Sequence, residues 1–306
     1  MNLFHKKDQY QGYNIYSMKK YVDKKRIIFT TIIVILIIIT LGFIIYYSVD
    51  TTIRLKNAKR FEQKLIEYES KQEELQKQER ERQAKIPKLT DEGKQNIKGI
   101  YKSETKRVFL TFDDGPSVNT ADVLDILKSN DIKATFFVLG IQVEKMPEMV
   151  KRAYQEGHYI ANHGYSHQYS QIYSSPETVL QEFNQCNSAV AKAIDVPEYN
   201  SHLFRFPGGS VGGKYANLKA EAVTLLEQNN IMHVDWNALT GDAEKSSPDE
   251  EYLMNNLQKT TQNKNSIVIL MHDAQAKRVT VEFLPKLIEF FQQQGYQFEN
   301  FYSIIK

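Results

Sequence analysis

Acidic and histidine residues that could bind a metal ion and activate water lie close together in two short segments of the chain. Asp113 and Asp114 are adjacent and precede Gly115-Pro116, and about fifty residues later His163 and His167 stand at the ends of a His-x-x-x-His pattern. Two imidazoles at this spacing can bind one cation, as in other zinc sites. An acid completes the set and leaves positions open for water and substrate. We expect a metal centre in which one acid of the pair binds the ion and the other is a free base.

The elements that must position these side chains belong to an α/β pattern that begins near Lys106. Apolar runs typical of strands lie at residues 108–112, 134–138, 158–162, 203–206, 231–236, 267–271 and 296–301. Amphipathic runs typical of helices lie between them, at residues 120–129, 147–156, 176–194, 218–229, 249–261 and 280–294. This alternation predicts parallel βαβ units. About seven units in roughly 200 residues favour a deformed, incomplete (β/α) barrel, and an open doubly wound sheet is the alternative.

Unusual polar residues follow the carboxyl ends of these predicted strands. They are Asp113 and Asp114, His163 and His167, Arg205, Asp235 and Asp242, and His272 and Asp273. In a β/α barrel, the carboxyl ends of the strands share one rim, where the chemistry takes place. The sequence therefore predicts that these residues share a site.

The string Thr111-Phe112-Asp113-Asp114-Gly115-Pro116, followed by the histidine pair, resembles the motifs of the polysaccharide deacetylase family. This family is also called the NodB-homology domain or carbohydrate esterase family four. The resemblance covers roughly residues 105–306. Together with an apolar N-terminal segment, it is similar to the layout of membrane-bound wall-sugar deacetylases of Gram-positive cocci and bacilli.

The resemblance implies a role for each motif residue. Asp114, His163 and His167 would bind a divalent metal, with zinc expected first and Co²⁺ or Mn²⁺ as other candidates. Asp113 would be the general base, Arg205 would position it, and the Gly208 N–H would help hold the oxyanion. His272 would be the catalytic acid. The implied activity is removal of N-acetyl groups from amino sugars.

Two positions depart from the family pattern. Gly208 stands where an aromatic residue is common, so a surface for stacking on sugar is lost. Leu239 stands where an aspartate usually bonds the catalytic histidine, and a later aspartate of the motif is present as Asp242. The acid that partners His272 is therefore Asp242, Asp235 or Asp273, in that order of preference.

The N-terminal part carries an uncharged apolar run at residues 27–47, long enough as a helix to cross the roughly 30 Å hydrocarbon core of a bilayer. Lysines and an arginine dominate the preceding residues, which by the positive-inside rule places the N-terminus in the cytoplasm. We therefore expect a cytoplasmic tail at residues 1–26, a transmembrane helix at 27–48, an extracellular helical stalk at 49–100 and the catalytic domain at 101–306.

The expected stalk is rich in charged residues and glutamine. It has a short apolar stripe formed by Ala58, Phe61, Leu65, Tyr68 and Leu75. This stripe is shorter than a stable coiled coil requires. A solvated helix is the simpler expectation, and weak self-association through the stalk is the alternative.

The composition limits the partners of the protein. The chain has 306 residues with 39 lysines and arginines against 37 acids, a net charge of +2, so a nucleic-acid partner recruited by bulk positive charge is excluded. The lone cysteine, Cys186, lies on the apolar face of the helix predicted at 176–194 and is expected to be a small buried residue. The expected partners are cell-wall glycan, as substrate, and the plasma membrane.

The expected substrate is the N-acetylglucosamine of peptidoglycan or of the unit that links peptidoglycan to a wall polysaccharide. Two alternatives remain at this point. The change at Leu239 is consistent with a degenerate domain that binds wall glycan without cleaving it. An O-acetyl esterase would use the same metal site.

Overall fold

The computed structural model describes residues 15–305, and its contacts divide the chain into one unit ending at Gln78 and a second beginning at Glu79. Helix α1 spans Ile15–Ala84. Among the described residues this is the helix that is long and apolar enough to cross a membrane by length and composition, and none of its most apolar stretch is buried. Residues 1–14 of the expected cytoplasmic tail lie outside the described part.

The second unit is built on a parallel sheet. Its strands are β1 Arg107–Asp113, β2 Thr135–Val138, β3 Tyr159–Asn162, β4 Leu203–Phe204, β5 Met232–His233, β6 Ala238–Leu239, β7 Ser266–His272 and β8 Gln297–Glu299. The sequence predicted all of them except β6. It has two residues, as β4 and β5 do, but those two lie within longer apolar runs and β6 does not.

Helices connect the strands and cover the sheet. They are α2 Asp91–Lys98, α3 Val118–Ser129, α4 Gly140–Lys145, α5 Pro147–Gln155, α6 Tyr169–Ile172, α7 Pro176–Ile194, α8 Ala216–Gln228, α9 Glu250–Thr261 and α10 Arg278–Gln293, with a 3₁₀ helix at Phe301–Ser303. Cys186 lies in α7 and is fully buried. The expectation of a small buried residue there is confirmed.

The strand order is β5-β4-β3-β2-β1-β7-β6, and β8 also pairs with β1. From β1 to β5, each strand pairs with the strand before it in the sequence, and the sheet grows in one direction. The late strands β7 and β8 return to β1, as they do when a barrel closes. The sheet path ends at β5 and β6, which are not joined in the described residues. The expected incomplete (β/α) barrel is confirmed over the alternative of an open doubly wound sheet.

The two faces of β1 have different surroundings because successive side chains of a strand point to opposite sides. Val108, Leu110 and Phe112 pack outward against the covering helices. Phe109 points inward, and by the same alternation Asp113 lies on the inner face at the carboxyl end. The alternation of side chains along β1 thus places Asp113 on the side that faces the barrel interior.

The amino-terminal end of the barrel is sealed by residues from both ends of the second unit. Ile97 and Ile100 pack with Phe109 and Phe301 in the inner cluster, and Ile100 is fully buried. The expected stalk extended through residue 100, whereas these two isoleucines belong to the core of the second unit. The residues around Ile97 and Ile100 include few apolar side chains, so their sequence does not predict that these two are buried.

Candidate metal and hydrolytic site

Asp114, His163 and His167 converge above the carboxyl ends of β1 and β3. Asp114 Oδ1 lies 3.5 Å from His163 Nε2 and 3.4 Å from His167 Nε2. One potential ligand atom from each of the three residues lies within 4.8 Å of the others. Asp114 adopts φ of 71° and His167 φ of 57°, so the turns that carry them lie in the left-handed region. That backbone turns each side chain toward the shared point.

This arrangement fits a bound cation. Ligands about 2.0–2.1 Å from a tetrahedral zinc lie roughly 3.3–3.5 Å apart, which matches the two distances from Asp114. Asp114 Oδ1 is buried and has no hydrogen-bond partner among the described residues. A buried carboxylate oxygen without a partner is costly unless a cation or donor satisfies it. The three side chains could therefore hold a metal ion.

The orientation of His163 is fixed by a second contact. Its Nδ1 lies 2.7 Å from the Arg205 carbonyl oxygen, so a proton on Nδ1 is donated there and the Nε2 lone pair faces Asp114. Burial lowers the pKa of His163 to about 3, which keeps the ring neutral. Neutral imidazole with its second nitrogen hydrogen-bonded is the form that binds metals in proteins.

Asp113 lies next to the cluster and is bound by an arginine. Its Oδ1 accepts a 2.9 Å hydrogen bond from Arg205, and its Oδ2 lies 3.8 Å from His163 Nε2. Burial raises the pKa of Asp113, and the charges of Arg205 and His272 oppose that rise. A carboxylate with a raised pKa is a stronger base than a solvated one.

Arg205 is fully buried and is held on all sides. It donates to the Thr111 hydroxyl at 2.7 Å and to the backbone carbonyls of Val234 and Asp235 at 3.2 and 3.0 Å. Its guanidinium carbon lies 3.9 Å from the centroid of the Phe137 ring. A guanidinium fixed at this many points is a rigid support for Asp113.

His272, at the end of β7, is the register neighbour of Asp113 in the β1–β7 pair and is itself paired with Asp242. The two residues contact through Nδ1 and Oδ1 at 3.0 Å, and the His272 backbone N–H donates to Oδ2 at 2.8 Å. Burial would lower the pKa of His272, but the hydrogen bond and the charge of Asp242 outweigh it and raise the pKa to about 9. The ring is therefore protonated near neutral pH and can donate a proton.

The other two candidate partners of His272 are bound elsewhere. Asp235 accepts hydrogen bonds from the Ser210 hydroxyl at 2.6 Å and from the Ser210 N–H. Asp273 is buried and accepts a hydrogen bond from the Thr120 hydroxyl. Of the three acids, Asp242 is the one that contacts the histidine.

A cavity of about 350 Å³ opens onto the three candidate metal ligands, Asp113 and the His272–Asp242 pair. Its lining includes Asp113, Asp114, His163, His167, Gly208, Asp242, His272, Tyr169, Trp236, Leu239 and Leu270. Leu239 lines this cavity as an apolar surface. Trp236 is partly exposed in its wall. Tyr169 was not predicted to lie here, because no motif spacing connects it to the other residues.

Comparison with known proteins identifies the family. The model for the polysaccharide deacetylase family matches residues 101–225. The chain is 36% identical to YheN of Bacillus subtilis (strain 168), whose name assigns it to the polysaccharide deacetylases, over 63% of this chain and 66% of YheN. It is 33% identical to a peptidoglycan-N-acetylglucosamine deacetylase of Bacillus cereus, over 65% of this chain and 71% of the relative. The chain belongs to the polysaccharide deacetylase family.

Solved structures give the same result. A carbohydrate esterase family four esterase of Streptococcus mutans matches with a TM-score of 0.62 at 29% identity, covering 71% of this chain and 93% of the esterase. The catalytic domain of a peptidoglycan N-acetylglucosamine deacetylase of Eubacterium rectale matches with a TM-score of 0.59 at 30% identity, covering 65% and 90%. The family expected from the motifs is confirmed, and so are the fold and the enzyme class.

Proposed function

We propose that this protein is a metal-dependent N-deacetylase that acts on N-acetylglucosamine residues of cell-wall glycan. The observation that carries the proposal is the placement of a buried acid outside the metal cluster, Asp113, beside Asp114, His163 and His167. The His272–Asp242 pair lines the same cavity, next to Asp113 in the strand register. Peptidoglycan and the unit that links it to a wall polysaccharide are the two substrates considered. The Bacillus cereus relative named above supports the first.

Asp114, His163 and His167 would hold the ion, with zinc expected first and Co²⁺ or Mn²⁺ able to replace it. One aspartate and two histidines leave positions open, as catalytic zinc sites do. When bound, the metal supplies Lewis-acid polarisation of the acetyl carbonyl and acidifies water. We expect metal removal to abolish the activity.

The protein side chains move the protons of the hydrolysis. Asp113 accepts a proton from the attacking water, and its carboxylate is held in position by Arg205. Gly208 lines the cavity, and its N–H donates to the oxyanion that the acetyl carbonyl oxygen becomes. Protonated His272 then gives its proton to the departing sugar nitrogen. Water is consumed, the carbon–nitrogen bond breaks, and acetate and a free amino sugar leave.

The N-terminal helix would anchor the enzyme beside its substrate. Its apolar stretch is exposed along its whole length, and basic residues precede it. By the positive-inside rule we propose a single-pass protein with a cytoplasmic N-terminus and an extracellular catalytic domain. Membrane fractionation of cells, followed by added protease, tests this topology. The proposal requires a membrane-bound chain whose catalytic domain is cleaved from outside intact cells.

The direct test is acetate release from purified cell walls. Wild-type protein is expected to release acetate, and both a chelator and Asp113→Asn are expected to stop it. Asp131→Asn is a matched control, because Asp131 is exposed and far from the cavity. Release by Asp113→Asn at the wild-type rate would show that the base is misassigned.

Two other functions make different predictions in the same assay. A wall-glycan binding protein without activity would retain glycan on a pull-down but release no acetate. The contact between Asp242 and His272 favours the enzyme, since it supplies the acid that Leu239 cannot. An O-acetyl esterase would cleave ester model substrates far faster than the corresponding amides. We expect wall amides to be cleaved.

A further inference from the structure

Gly208 and Tyr169 come together in the cavity although 39 positions separate them in the sequence. A Cβ atom at Gly208 would lie 2.6 Å from the Tyr169 hydroxyl oxygen and 3.3 Å from the ring carbon that bears it. Cβ atoms in proteins essentially never make a contact as short as 2.6 Å, so one of the two groups would have to shift. The Tyr169 hydroxyl therefore occupies the space that a side chain at position 208 would need.

The neighbours of Tyr169 hold its ring in this position. Tyr169 begins α6, two residues after His167, and its ring packs edge-on against the His167 ring with centroids 5.7 Å apart. On the other side it packs edge-on against Tyr173 at 5.6 Å. The Tyr173 hydroxyl donates at 2.7 Å to the carbonyl of Pro207, next to Gly208. Tyr169 and Tyr173 are thus held against the turn that contains Pro207 and Gly208.

Two hydrogen-bond donors in this part of the cavity have no partner within residues 15–305. Neither the Tyr169 O–H nor the Gly208 N–H donates to any described residue. Both residues line the cavity together with Asp113 and His272. Adjacent donors that open onto a reaction centre are the arrangement that stabilises charge developing in a transition state.

We propose that the Tyr169 hydroxyl is a catalytic group that donates a hydrogen bond to the acetyl oxygen, beside the Gly208 N–H. This inference rests on the proposed function, since the charge it stabilises develops during acetyl hydrolysis. The missing side chain at Gly208 is then what makes room for the donor. The start of α6 and the packing of the Tyr169 ring against His167 and Tyr173 position this hydroxyl.

The test compares two tyrosine-to-phenylalanine variants on an N-acetylated glycan oligomer. Tyr169→Phe is expected to lower kcat on the order of 10²-fold with KM within about twofold of wild type. Tyr296→Phe is the matched control, because its hydroxyl bonds the Lys264 carbonyl away from the cavity, and it is expected to keep the wild-type kcat. Metal content measured on the same samples is expected to be equal in all three proteins.

A fall in kcat of less than tenfold for Tyr169→Phe overturns the proposal. So does a rise in KM with kcat preserved, which would make the ring a platform for sugar stacking. A loss of metal in Tyr169→Phe also overturns it, since the residue would then act through the metal ligands. Failure of the proposed function is distinguishable, because in that case wild type and Tyr296→Phe would also release no acetate.

The contact itself can be tested without any activity. Gly208→Ala is expected to lower the urea midpoint of unfolding more in wild type than in Tyr169→Phe, because removing the hydroxyl removes the 2.6 Å clash. The left-handed backbone at Gly208, with φ of 74°, costs the same in both backgrounds. Equal shifts in the two backgrounds would show that the hydroxyl does not occupy this space, and the proposal would fall.

Discussion

Replacing Asp242 by asparagine tests how the structure sets the acidity of His272. The substitution keeps the shape of the side chain and its ability to accept from Nδ1, but it removes the negative charge. In the wild type burial lowers the pKa of His272, but the hydrogen bond and charge of Asp242, together with the charges of Asp113 and Asp114, raise it to about 9 from 6.5. The rise corresponds to on the order of 3 kcal/mol in favour of the protonated ring. In Asp242→Asn the burial remains and the charge of Asp242 is lost, so the pKa should fall toward 6.5.

For Asp242→Asn, the fall in kcat/KM on the alkaline side of the pH profile should therefore move to lower pH. At pH 8, a group with a pKa of about 9 is roughly 90% protonated, whereas one with a pKa of 6.5 is roughly 3% protonated. Acetate release at pH 8 should therefore fall by up to about thirtyfold. The decline with rising pH should begin up to about two pH units earlier than in the wild type. Thr280→Val is the control, because it removes one 2.7 Å hydrogen bond to Asp242 but keeps the carboxylate.

The same pair also predicts how stability depends on pH. A raised pKa in the folded state contributes stability that is fully present below pH 6.5 and is lost as the pH rises through about 9. The difference in melting temperature between wild type and Asp242→Asn should therefore narrow above pH 8. NMR titration of the His272 ring gives the pKa directly. An Asp242→Asn enzyme whose alkaline limb and ring titration match the wild type would refute the reasoning.

Two further predictions concern the buried supports of the site. Arg205→Met leaves Asp113 buried without its partner, so urea unfolding should show a loss of about 3–5 kcal/mol, and activity should be lost. Ile100→Ala removes a fully buried side chain from the amino-terminal end of the barrel and should lower the free energy of unfolding by about 2–5 kcal/mol. Ile66→Ala, on the exposed part of α1, should leave the unfolding of the catalytic domain unchanged.

Contrary results would locate the error in each case. An Arg205→Met protein as stable as wild type would mean that Asp113 is solvated or protonated without the arginine. Equal unfolding curves for Ile100→Ala and Ile66→Ala would mean that residues 85–100 behave as part of the stalk and do not seal the barrel. Both measurements use the protein with its N-terminal helix in detergent.

The sequence was sufficient to predict that Asp113, Asp114, His163, His167, Asp242 and His272 meet at one rim, whereas Asp235 and Asp273, predicted with them, do not line the cavity. Strand ends are readable because β1 and β7 are long and apolar, and the side chains that follow them share an edge in any parallel barrel. The alternation along β1 also places Asp113 on the inner face. These are local patterns, so a single chain shows them without a structure.

Contacts made between distant segments could not be predicted in this way. The partner of His272 stayed open among three acids because β6 is short and lies outside any apolar run, and Asp242 follows this strand. The sequence around Ile97 and Ile100 predicts a stalk. Their burial comes from contacts in the cluster that contains Phe301, which is distant in the sequence. Tyr169 meets Gly208 only through the packing of α6, which has four residues and no periodicity to read.

The central claim is that two adjacent acids divide the work: Asp114 binds the metal and Asp113 does not. Zinc bound per chain, measured by elemental analysis after equilibrium dialysis, tests this for wild type, Asp113→Asn and Asp114→Asn. We predict that one ion remains bound in wild type and in Asp113→Asn and that Asp114→Asn loses most of it. Loss of the ion in Asp113→Asn, or its full retention in Asp114→Asn, would contradict the account.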